Sequence, residues 1–157
     1  MEAIVVCADF ADVHIERALK VRYVTEAADI KAAAVADYRP KTVSDSKIKK
    51  SEGDAAIELE RTEDILSALG KNKRDGQFIC GFSMETENLV ENSRGKLKKK
   101  NADMIVANSL KTEGAGFGTD TNVVTFITTN GEKELPVMSK DDVAGKIFDE
   151  IIKITNH

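Results

Sequence analysis

The sequence predicts an α/β domain built on a mostly parallel sheet. Two observations carry this. Short apolar, β-branched runs alternate with helical patterns along nearly the whole chain. The length, 157 residues, is that of one domain around a single core.

The elements follow in order. Strands are expected at 3–8, 21–25, 30–36, 56–61, 77–82, 104–107 and 123–128. A further short strand at 134–137 would pair back across Asn130-Gly131, a dipeptide suited to a two-residue hairpin turn. The first helix should span 12 to about 20, and a second begins after Thr62 and stops at Gly70, read as its C-terminal cap. A third covers about 87–100, acidic at its start and lysine-rich at its end, as the helix dipole prefers. The last starts at Ser139, with Asp142 in the capping-box position and Val143, Ile147, Ile151 and Ile154 forming one apolar stripe. The segments 40–54 and 111–122 lack regular patterning, and loops of that length are usually functional or disordered.

Composition narrows the function. Hydrophobic residues make up 41% and charged residues 32%, a globular rather than a disordered balance. No apolar run approaches the roughly 20 residues of a membrane helix, and no signal peptide is visible, so a cytoplasmic location is expected. A net charge of −4 argues against a nucleic-acid binder. Cys7 and Cys80 sit inside apolar runs without metal-ligand spacing and read as buried hydrophobes.

Five constellations can carry chemistry, and each has a bland alternative. The small-residue run ending in Asp37 puts an acid where open α/β sheets bind ligands, or merely starts a turn before Pro40. Lys47-Ile48-Lys49-Lys50 suits phosphate contact or a solvated loop. Gly81 and Phe82 offer close backbone approach and a flat apolar surface, or simply a core phenylalanine. Lys96 and Lys100, four apart, share a helix face where they repel one another unless a polyanion lies between them. Gly114 to Asn122 is glycine-rich, yet lacks a dinucleotide fingerprint, and no Walker-type loop occurs.

The order of these signals is more specific than any one of them. Ala-Ala-Val-Ala-Asp-Tyr-Arg-Pro (33–40), Lys-Ile-Lys-Lys (47–50), Thr-Glu-Asp-Ile-Leu (62–66), Gly-Phe-Ser-Met-Glu-Thr-Glu-Asn (81–88), the lysine-rich run 96–108 and Gly-Phe-Gly-Thr-Asp-Thr-Asn (116–122) succeed one another in register. In this order they resemble the phosphopantothenate–cysteine ligases, the second half of a bacterial bifunctional enzyme whose first half is a flavin-dependent decarboxylase. The resemblance covers about 29–155 of a single nucleotide-binding domain, 1–157, with 1–28 divergent. It implies a Rossmann-like three-layer α/β/α core, a β arm reaching a second copy in a homodimer, Mg²⁺, and the substrates CTP, 4′-phosphopantothenate and cysteine. It further implies nucleotide contacts from Asp37, Lys47, Thr62, Glu63, Asp64, Ile65, Phe82, Lys96 and Lys100. It assigns no catalytic residue and no metal ligand.

The departures are specific. Val6-Cys7-Ala8-Asp9-Phe10 stands where the family has a glycine-rich turn. Val21 to Thr25 is similar to the run before the family's asparagine and Ser-Ser-Gly-Lys-Met-Gly loop, but Glu26 follows and that loop is missing. The rival expectation is therefore a nucleotide-binding module of the same family without catalysis.

Overall fold

A computed structural model of the chain describes residues 3–8, 28–32, 36–47, 56–109 and 120–155. The expected helix at 12–20, the expected strand at 21–25, Glu26, Ile48 to Lys50 and the glycines of 114–118 lie outside the described residues.

Six strands make the main sheet: β1 (Ala3–Ala8), β2 (Ala28–Ala32), β5 (Gln77–Glu85), β6 (Met104–Ser109), β8 (Val124–Thr128) and β9 (Gly131–Glu134), in the spatial order β2-β1-β5-β6-β8-β9. The expected α/β class holds, but the sheet is mixed. β2, β1, β5 and β6 pair parallel, whereas β6–β8 and β8–β9 are antiparallel. Adjacent parallel strands need a long crossover, usually a helix. Among the described residues no helix lies between β6 and β8, and β8 returns to β9 through a tight turn. That turn differs from the expected one. Thr128 pairs with Gly131, so residues 129–130 form the bend and Gly131, at φ 142°, opens β9. The expected strand at 134–137 thus begins earlier, and only Leu135 continues inward, donating its N–H to the Val124 carbonyl at 2.9 Å. β9 is an outer strand of the sheet, and its Glu132, Lys133 and Glu134 are exposed.

Three helices are described: α1 (Ile65–Lys71), α2 (Leu89–Lys99) and α3 (Lys140–Thr155). Strand alternation sends successive side chains to opposite faces. Phe78, Cys80, Met104, Val106, Val124 and Phe126 therefore meet Val143, Ala144, Ile147, Phe148 and Ile151 of α3. Ile79, Ile105, Ala107 and Ile127 face the other way, onto Leu66 of α1 and Leu97 of α2. The Ser139 hydroxyl caps the start of α3 as expected, accepting the Asp142 N–H at 3.1 Å, while the Asp142 carboxylate accepts that hydroxyl at 2.6 Å.

Gly70 is not the C-terminal cap it resembles. α1 runs through Lys71 and Asn72 closes it, while Gly70 is buried inside the helix. A Cβ there would lie 1.7 Å from the Lys100 carbonyl oxygen, so the glycine is what lets α1 reach the end of α2. Asn101 ties the same junction by donating to the Gly70 carbonyl at 2.9 Å.

Outside the main sheet, β3 (Tyr38–Pro40) and β4 (Leu59–Arg61) form an exposed antiparallel ribbon. It is shorter than the expected strand at 56–61, although the Lys41 N–H still bonds the Glu58 carbonyl at 3.0 Å beyond Pro40. The expected strand at 30–36 starts at Ala28 instead, and Ala36 lies outside it. A two-residue pairing of β7 (Thr121–Asn122) with β10 (Met138–Ser139) leads into α3. Among the described residues, no helix is long and apolar enough to cross a membrane.

Candidate functional site

Among the described residues β5 pairs with β1 as far as Gly81, then continues to Glu85 with β6 on its other side. Phe82 and Met84, two apart on one strand face, therefore extend past the β1 pairing at the carboxyl end of the sheet. The chain enters α1 beside them. Thr62 fixes that approach by donating its hydroxyl to the Ala36 carbonyl at 2.5 Å and its N–H to the Asp37 carbonyl at 3.0 Å. Asp64 then caps α1, accepting the Ser67 N–H at 2.9 Å. Gly81 keeps α1 close: a Cβ there would lie 2.6 Å from Leu66 Cδ2.

The result is a cleft of about 250 Å³ lined by Asp37, Thr62, Glu63, Asp64, Ile65, Leu66, Phe82, Met84, Lys96 and Lys100. Eight of the nine expected contact residues meet here, drawn from four separate stretches of sequence. The ninth, Lys47, is exposed and does not line the cleft. Leu66 and Met84 were not expected. Met84 was readable from the two-residue period that aligns it with Phe82, whereas Leu66 follows only from the close approach over Gly81.

The two lysines project from one face of α2, as their spacing requires, while Lys98 and Lys99 are exposed. Each is held by a carboxylate. Lys100 pairs with Asp64, whose second oxygen caps α1. Lys96 lies 2.9 Å from Glu85 Oε1 and 3.0 Å from Ser83 Oγ. Partial burial would raise the Glu85 carboxyl, but hydrogen bonds from Lys96, Asn92 and Ser83 and the Lys96 charge outweigh it. Its pKa lies below the usual glutamate value. Among the described residues, no three His, Cys, Asp or Glu side chains gather as a metal cage. Asp37 and Glu63, both exposed, nevertheless line the same cleft as the lysines. That donor set suits Mg²⁺, which is held by one or two carboxylates and by a ligand's phosphates.

This cleft has one cationic wall, an aromatic ring, and a helix entrance lined by acids. Such an arrangement can hold a magnesium-bound polyphosphate beside a flat apolar group.

Comparison with known proteins follows the same line. The family described as "DNA/pantothenate metabolism flavoprotein C-terminal domain" matches residues 5–155. The coenzyme A biosynthesis bifunctional protein CoaBC of Bacillus subtilis (strain 168) is 51% identical over 127 residues, 80% of this chain and 31% of that protein. The chain thus spans about a third of the length of the curated relatives it matches. The crystal structure of the C-terminal domain of a CoaBC superposes with a TM-score of 0.66 at 28% identity, covering 99% of this chain and 98% of that one. A Cab2 variant solved with phosphopantothenate-cysteine shares the fold at TM-score 0.60 and 19% identity, over 82% of this chain and 44% of that one.

Proposed function

The chain belongs to the DNA/pantothenate metabolism flavoprotein C-terminal domain family, and from that premise we propose that it is a phosphopantothenate–cysteine ligase domain of coenzyme A synthesis. Its reaction is the CTP-dependent joining of 4′-phosphopantothenate and cysteine. One observation carries this reading. Segments scattered from Asp37 to Lys100 converge on a single cleft whose cationic wall is two lysines on one helix face.

In this reading the pantothenate carboxylate attacks the α-phosphorus of CTP, pyrophosphate leaves, and the cysteine amine displaces CMP from the acyl-cytidylate to form the amide. Lys96 and Lys100 hold the triphosphate, Phe82 lines the base or ribose, and the Thr62 to Ile65 turn wraps the nucleotide. Asp37 contacts the nucleotide from the end of the sheet, and Lys47, which does not line the cleft, would have to swing in to add its phosphate contact. Bound Mg²⁺ would offset phosphate charge, with Asp37 and Glu63 as its protein ligands. The Rossmann-like layering, a homodimer joined through the β3–β4 arm, a cytoplasmic location and a decarboxylase domain in a longer protein belong to the same proposal. The arm supports the dimer, because it exposes Tyr38, Leu59 and Ile57.

Isothermal titration with CTP and with ATP, followed by a pyrophosphate-release assay with phosphopantothenate and cysteine, tests the reading. Micromolar CTP binding and cysteine-dependent amide formation are expected, and no binding of either nucleotide would refute it. Lys47→Ala should weaken CTP by a charge-assisted contact, roughly 1.5–3 kcal/mol.

A second reading rests on a specific observation. Glu26 stands where the family has an asparagine, and the Ser-Ser-Gly-Lys-Met-Gly loop is missing. Losing one preorganised donor costs about 10²–10³ in rate. Binding of CTP with single-turnover ligation far below about 1 s⁻¹ would mark a nucleotide-binding module instead.

A further inference from the structure

Behind the cationic wall of the cleft stands a second row of polar side chains that does not line it. Ser83 and Glu85 project from β5, and Asn92 sits one helical turn before Lys96 on α2. The Ser83 hydroxyl donates to Glu85 Oε1 at 2.9 Å, and the Lys96 ammonium meets both, at 3.0 Å and 2.9 Å. Asn92 Nδ2 donates to Glu85 Oε2 and to the Glu87 carbonyl, each at 3.0 Å. The burial is graded: Ser83 is 4% exposed, the Glu85 side chain 14%, and the Lys96 side chain 43%. The carboxylate is thus held on both oxygens, on one side by buried Ser83 and on the other by exposed Asn92, and of this group only Lys96 lines the cleft.

We propose that Ser83, Glu85 and Asn92 are positioning residues that pre-set the Lys96 ammonium for a phosphate group. The inference rests on the nucleotide reading above and names the residues that make its cationic wall rigid. A lysine side chain has large rotamer freedom, and ordering it at the moment of binding costs affinity. A partly buried carboxylate that already holds the ammonium removes that cost. It also makes an opposite prediction from simple charge counting. A carboxylate beside a polyphosphate repels it, so by charge alone its neutralisation would tighten binding. As an anchor, its neutralisation loosens it.

Side-chain ammonium NMR of the ligand-free protein, combined with titration by inorganic tripolyphosphate and CTP, tests this. The Lys96 ammonium should give a resolved signal slowed in exchange, and Glu85→Gln or Ser83→Ala should remove that protection. Both variants should weaken tripolyphosphate by about tenfold, the size of one misplaced charge-assisted contact. In a Lys96→Ala background the same changes should have no further effect on binding. Unaltered Lys96 protection in both variants, or tighter tripolyphosphate binding by Glu85→Gln, would overturn the proposal. Protection that responds to Glu85 in a wild-type protein binding neither tripolyphosphate nor CTP would overturn both it and the nucleotide reading. Binding that ignores Glu85 would overturn only the positioning.

Discussion

The two faces of the sheet are closed by opposite means. On the α3 face the seal is apolar volume: Val143, Ile147, Phe148 and Ile151 fill the space over Phe78, Met104, Val106 and Phe126. On the other face it is proximity. Glycines at 70 and 81 strip away two Cβ atoms, so α1 settles against β5 and against the end of α2. The Lys100 backbone meets Gly70 where β5 and β6 begin, and its side chain runs back to Asp64 at the start of α1, bringing Asp64, Lys96 and Lys100 to one cleft. One face mainly stores stability, the other converts backbone closeness into charge geometry, and Phe82, packed against the α3 core, joins them at the cleft.

Ile147→Ala should break this division most visibly in stability. A fully buried isoleucine lost from α3 costs roughly 2–5 kcal/mol in a urea melt. CTP affinity of the remaining folded protein should stay within twofold, and a larger change would mean the faces are not separable. Lys100→Ala should do the reverse. Affinity falls by roughly 1.5–3 kcal/mol and its salt dependence weakens, whereas Lys98→Ala and Lys99→Ala leave titrations nearly unchanged. Equal effects at all three lysines would reveal a diffuse basic surface instead of a built wall.

Gly70→Ala sharpens the comparison, because it should act on both quantities. The methyl collides with the backbone carbonyl of Lys100, at an overpacking cost of about 1–3 kcal/mol. Since α2 must retreat, nucleotide binding should weaken too. The smallest expected effect is on acid stability. Glu85 is held below its usual pKa against its partial burial, by Lys96, Asn92 and Ser83. Glu150 on α3 is lowered chiefly by its Lys133 hydrogen bond, against burial and with help from Lys153. A carboxyl lowered on folding stabilises above the unfolded glutamate pKa, about 4.3, and that stability drains away as pH falls through the folded value. Glu85→Gln and Glu150→Gln should each flatten the fall in melting temperature below about pH 5, leaving the slope above about pH 6 unchanged.

The apolar strands and α3 were readable because their pattern is local. The Ile147 stripe and the Ser139 hydroxyl cap need nothing beyond neighbours three or four residues away. So was the pairing of Lys96 with Lys100, which helical geometry alone puts on one face. What escaped depends on distant partners. A glycine near a helix end looks like a cap until the Lys100 carbonyl, thirty residues on, is found against it. Ser83 and Glu85 look like surface residues of a strand, and only α2 packing over them turns them into a partly buried anchor. Antiparallel entry of β8 was likewise hidden, since its apolar run reads the same in either direction.

β9 carries a last consequence. A strand at the rim of a sheet offers unpaired N–H and C=O groups to any other strand that drifts by, the first step of fibril growth. Here that rim reads Glu132-Lys133-Glu134, with Arg94 of α2 engaging Glu132 and Glu150 of α3 engaging Lys133. An incoming chain would have to strip water from these charges before gaining a single ladder bond. Replacing Glu132 and Glu134 with valine should leave the fold intact and make the protein aggregate on storage faster than its parent.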